Sequence, residues 1–177
     1  MCLTGSITLA LLWLVPLVHG QAGKASGTIS LGSTKIPPQA VTAVEYTAPQ
    51  GRVISVLISD RPPDAKQFIE RTKVGPAELL NTGLIEGAWK GLHFENQLSG
   101  FTFSFSAKRQ IQSNEFLIGG KNKTFSVADE DLGLELASMS PRVVGRIRLK
   151  SAAPPRVGNQ TVALDLVFEA PVTSLGK

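Results

Sequence analysis

The feature that most constrains this chain is a hydrophobic period of two. Successive residues of a strand point to opposite faces, so a segment that is apolar at every second position buries one face as a strand. The run GFTFSFS, residues 100–106, puts Phe101, Phe103 and Phe105 on one side and Thr102 and Ser104 on the other. TVALDLVFEA, residues 161–170, groups Val162, Leu164, Leu166 and Phe168 against Asp165 and Glu169. VVGRIRLK, residues 143–150, sets Val143, Ile147 and Leu149 against Arg146, Arg148 and Lys150, and residues 132–136 place three leucines opposite Gly133 and Glu135. Such segments predict an antiparallel sheet with one wet face.

Further strands are expected at 27–31, 41–47, 52–59 and 88–95, with a weaker one at 115–118. Residues 52–59 carry Ile54, Val56 and Ile58 on one face and Val53 and Leu57 on the other, which suits a central strand. Gly32-Ser33, Pro37-Pro38, Pro49-Gln50-Gly51, Gly119-Gly120 and Pro154-Pro155 punctuate them. Residues 64–82 break the pattern. Asp64 and Gln67 have the spacing of a capping box, Ala65, Phe68, Ile69 and Thr72 follow at helical spacing, and Gly75 stops the helix. Pro76 restarts a turn that runs to Leu80, and Gly83 ends it. The expectation is an all-β, mainly antiparallel β-sandwich or partly open barrel, with one or two short helices around residues 64–82.

The first twenty residues set the compartment. ITLALLWLVPLV, residues 7–18, is an uncharged apolar run of signal-peptide length, too short to cross a bilayer. Small residues after it suit cleavage following Gly20 or Ala22, which leaves residues 24–177 as a single β-rich domain. Cys2 is the one cysteine and lies inside that segment, in the wrong place for lipid attachment. The exported chain would then have no disulfide and no cysteine-ligated metal, which favours a bacterial source. Charged residues make up 18% and hydrophobic ones 42%, enough for a packed core, and the formal net charge is +4.

Three short segments resemble an uncharacterised class of exported bacterial domains. They are the opening Ala25-Ser26-Gly27-Thr28-Ile29, the strand end Ser59-Asp60-Arg61-Pro62, and the closing Phe168-Glu169-Ala170-Pro171-Val172. The resemblance implies export and a β-fold, and brings no activity or catalytic residue with it.

Candidate chemistry is sparse. His93 is the only histidine beyond the leader, and no Gly-x-Ser-x-Gly elbow accompanies it. One histidine without cysteine is also too few for a typical zinc site. Asp129-Glu130-Asp131 is the densest acidic cluster; Asp129 and Asp131 could hold a weak calcium ion, although a solvated turn explains them as well. Asp60-Arg61-Pro62-Pro63-Asp64 reads as a strand exit leading to a helix cap. Arg146, Arg148 and Lys150 form a basic stripe able to meet an anionic glycan, with cross-strand pairing to Asp165 and Glu169 as the plainer account. In that pairing Arg146 is expected opposite Asp165.

No cofactor is implied. Nucleic acid is not an expected partner, since no aromatic residue interleaves the stripe, and after leader removal no membrane-spanning segment is expected. The leading expectation is a secreted or periplasmic, non-catalytic binding or structural module of the cell envelope or extracellular space, engaging a protein or an anionic glycan. The alternatives are a secreted hydrolase using His93 or the acidic residues, and a carrier of a small apolar ligand beside Phe101, Phe103 and Phe105.

Overall fold

The computed structural model describes residues 23–73, 82–119, 124–151, 156–157 and 159–175. The leader with its cleavage sites at Gly20 and Ala22, Cys2, the helical restart from Pro76 to Leu80, and the Gly120-Lys121 turn lie outside them. In chain order the elements are β1 Lys24–Leu31, β2 Thr34–Lys35, β3 Ala40–Ala48, β4 Gly51–Ser59, α1 Ala65–Arg71 and α2 Thr82–Asn96. They continue as β5 Gly100–Ser106, β6 Ile111–Leu117, β7 Thr124–Phe125, a single 3-10 turn at Asp129–Asp131, β8 Leu132–Ser138, β9 Arg142–Leu149, β10 Arg156–Val157 and β11 Gln160–Ser174. The protein is mainly β, and its sheet curls into an open half-barrel.

The curl has two wings joined by β11. In one, β3 to β7 form an antiparallel meander. In the other, β11 lies between β1 and β9, with β2 and β8 outside them. Near Pro171, which has no N–H to give a ladder, β11 leaves β1 and β9. It then pairs in parallel with β3 through Val172, Thr173 and Ser174.

The two inner faces close on one core. Phe101, Phe103 and Phe105 are fully buried and stack along β5. Phe103 meets the edge of Phe168 from the other wing at 5.5 Å. Burial of aromatic area on this scale dominates core energetics. As expected of a central strand, β4 gives Ile54, Val56 and Ile58 to this core. Its Val53 and Leu57 enter a second core beneath the helices.

That second core corrects two expectations. The sheet face carrying Thr102 and Ser104 is not wet: α2 lies over it, and they are 3% and 1% exposed. Residues 88–95 are helix, not strand. Ile85, Ala88, Trp89 and Leu92 recur at helical spacing and are all buried, with Trp89 stacked 3.8 Å from Phe68 of α1. The poor helix formers Gly87 and Gly91 obscure that period in the sequence. Gly91 leaves room for the Arg71 guanidinium, which crosses the helix to pair with Glu95. Gly83 consequently lies in the first turn of α2 rather than ending a helix. The α1 start is as expected, with Asp64 Oδ1 accepting the Gln67 N–H at 3.0 Å.

The β9–β11 register differs from expectation by two residues. Arg148 stands opposite Asp165, and Arg146 opposite Val167. A slip of two keeps every side chain on its face, so the hydrophobic pattern cannot distinguish these registers. Asp165 is still reached by Arg146, diagonally, through two hydrogen bonds of 2.8 and 2.6 Å. Among the described residues no helix is long and apolar enough to cross a membrane.

Candidate functional site

Two clefts bring together side chains that are distant in sequence. The first lies between α2 and the outer face of β5 and β6, with a volume of about 450 Å3. Its floor follows from register, which sets Thr102 opposite Glu115 and Ser104 opposite Ser113. Glu86 and Lys90, four residues apart on α2, lie above it. The Lys90 ammonium is 3.0 Å from Glu115 Oε1, and the Thr124 hydroxyl donates to the same oxygen at 2.6 Å. These partners offset the cost of holding a carboxylate whose side chain is only 13% exposed. The Ser104 and Ser113 hydroxyls are 2.5 Å apart.

Asn114 builds the far wall. Its carboxamide oxygen accepts the Val127 N–H at 3.1 Å, and its nitrogen donates to the Val127 carbonyl at 2.9 Å. This side chain stands in for strand pairing on a stretch of β6 beyond its short ladder with β7. The same nitrogen donates to Asp129 Oδ1 at 2.7 Å. With the Asn114 carboxamide taken up by Val127 and Asp129, the lining leaves the Thr102 and Ser113 hydroxyls, the Glu86, Glu115 and Asp129 carboxylates and the Lys90 ammonium, a mixture of donors and acceptors suited to a ligand that is itself both.

The second cleft is the seam where the half-barrel stays open, between the β5–β6 turn and the free edge of β8. It is a groove of about 530 Å3, and Arg109, Ile111, Leu134, Arg148 and Lys150 are among the residues lining it. Arg109 has φ 63°, an uncommon left-handed conformation for a side-chain-bearing residue. From that position its Nη1 donates to the Leu136 carbonyl on β8 at 3.2 Å, spanning the seam.

The candidates from the sequence distribute as follows. Asp129 touches both clefts. Asp131 shares its 3-10 turn, and its carbonyl accepts the Lys150 N–H at 2.8 Å. Among the described residues no group of three or more metal-ligating side chains gathers. Arg148 is 3.0 Å from Glu135, while the Lys150 ammonium donates to the Glu130 carbonyl at 2.9 Å. Arg146 and Asp165 form a cross-strand ion pair, diagonal rather than directly opposed as expected. Their hydrogen bonds hold the Asp165 carboxyl below its ordinary range and raise the Arg146 guanidinium.

His93 is buried on α2 and lines neither cleft. Its Nδ1–H donates to the Leu98 carbonyl at 2.6 Å, and Nε2 is buried with no partner among the described residues. Asp60 Oδ1 accepts the Ser99 N–H at 3.0 Å, tying the strand exit to the start of β5.

Lys90, Glu115 and Arg109 have no counterpart among the residues singled out from sequence. Lys90 falls in the segment read as strand, and Arg109 in an ordinary turn. Only the polar alternation of Ser113 and Glu115 on β6 hints at a lined cleft. No family model, curated protein or solved structure gives a significant match to this chain.

Proposed function

We propose that this protein is an exported, non-catalytic binding module of the cell envelope or extracellular space, and that the cleft under α2 holds a hydroxyl-rich ligand such as a sugar unit of a glycan. The apolar run at residues 7–18 supports export. The observation that carries the binding reading is the Lys90–Glu115 pair, backed by the Thr124 hydroxyl, in a cleft of about 450 Å3, within the range of small-molecule sites. Sugar hydroxyls donate and accept at once, and this lining offers both. Arg146 and Arg148 each face a carboxylate, which favours the cleft over the basic stripe as the place of binding. Phe101, Phe103 and Phe105 stack on one another, which weighs against a carrier of apolar ligands beside them.

A glycan array followed by NMR titration tests this reading. A neutral saccharide should shift the Lys90, Thr102 and Ser113 resonances. Glu115→Gln should weaken binding by roughly ten- to a hundredfold, the range for losing a hydrogen bond to a charged group. A silent array would overturn the reading. Cleavage of a bound saccharide would replace it with a hydrolase.

A further inference from the structure

We propose, on the saccharide reading of the cleft under α2, that its ligand is a sugar bearing a free, protonated amine, not the N-acetylated or acidic counterpart. Charge carries the argument. Three carboxylates line the cleft, those of Glu86, Glu115 and Asp129, against one ammonium, that of Lys90. Lys90 and Glu115 satisfy each other at 3.0 Å, and the Thr124 hydroxyl completes that pair. Glu86 and Asp129 are left over. The Glu86 side chain has no ion pair or hydrogen bond among the described residues. The Asp129 carboxylate is held only by the neutral Asn114 carboxamide, through Oδ1. Among the described residues the lining thus keeps two uncompensated carboxylates, in a chain whose formal net charge is +4.

An enclosed hydroxyl points to the same place independently. Thr102 is 3% exposed and lines the cleft, yet its hydroxyl has no hydrogen-bond partner among the described residues. A polar group so enclosed ordinarily finds one, so this hydroxyl is left for a group that enters the cleft. Register sets Thr102 opposite Glu115 on the floor, with Glu86 above on α2. An amino sugar meets this arrangement with both of its functions. Its ring hydroxyls suit Thr102 and Ser113, and its ammonium is drawn to Glu86 and Asp129. Charges lining a cleft with low-dielectric walls act more strongly on a ligand than charges on open surface. The same carboxylates repel an acidic sugar, and N-acetylation removes the charge that they attract. A metal ion suits the cleft less well, since the described residues gather no group of three or more ligating side chains.

Calorimetric titration of the full chain with two probes tests the proposal. One is a glucosamine trimer and the other the same trimer N-acetylated, both at about pH 6, acid enough to protonate a sugar amine. The free-amine trimer should bind about tenfold more tightly at low salt, and its advantage should shrink as salt is added. Glu86→Gln should cut that advantage by about threefold or more. The substitution breaks no bond within the protein and keeps helix propensity, so the variant should fold. Asp129→Asn, which retains an acceptor for Asn114, should reduce the advantage as well. Equal affinity for the two trimers would overturn the proposal and leave the saccharide reading standing. An undiminished preference in folded Glu86→Gln would do the same. Binding of neither trimer would also overturn the proposal, with the glycan array deciding the saccharide reading separately.

Discussion

Leu166→Ala is the sharpest test of the core. Leu166 is fully buried on β11, opposite Gly27 on one side and Ile147 on the other. Truncation removes three buried carbons, worth about 2.4 kcal/mol at ~0.8 kcal/mol per methylene. The site collapses poorly. Leu166 is paired on both sides, to Gly27 of β1 and Ile147 of β9, so the ladders hold its backbone in place and keep it from moving in to fill the space. The remaining cavity brings the expected loss to about 3–5 kcal/mol. With a urea slope of about 1–3 kcal/mol/M, the midpoint should fall by about 1 M or more. Equilibrium unfolding followed by far-UV circular dichroism reads this directly. Arg146→Ala, measured alongside, should scarcely move the midpoint, because exposed ion pairs contribute little. A larger shift for Arg146→Ala than for Leu166→Ala would mean that the faces of β9 and β11 are inverted.

Two further outcomes are expected. Because its hydrogen bonds with Arg146 depress the Asp165 carboxyl, the pair's contribution is complete above the ordinary carboxylate value of about 3.9 and is lost as pH falls through the lower folded value. The small difference between wild type and Asp165→Asn should thus hold from neutral pH to about pH 5 and vanish in stronger acid, and a difference that grew on acidification would contradict the pairing. N-terminal sequencing of protein recovered from the medium or periplasm should begin at Gln21 or Gly23, and an intact Met1 would refute export by a cleaved leader.

What the sequence determined by itself was local and periodic. Alternation in β8, β9 and β11 names the buried face of each, since a strand offers only two faces and one is apolar, whereas in β5 it names only the face that meets the shared core. Asp64 three residues before Gln67 marks the start of α1, because a cap bonds within its own first turn. The two-sided apolar pattern of residues 52–59 reveals a strand covered on both faces, and β4 lies between β3 and β5 with a core on each side.

The tertiary structure decided what depends on neighbours. The helical identity of residues 88–95 comes from Trp89 and Leu92 finding a sheet to cover, and it overrides two glycines of low helix propensity. The β9–β11 register is fixed by packing, because a slip of two residues leaves the hydrophobic pattern unchanged. Lys90 meets Glu115, and Arg109 meets the edge of β8, only after the sheet curls. Those contacts join residues more than twenty positions apart, and no local period encodes the distance at which two faces meet.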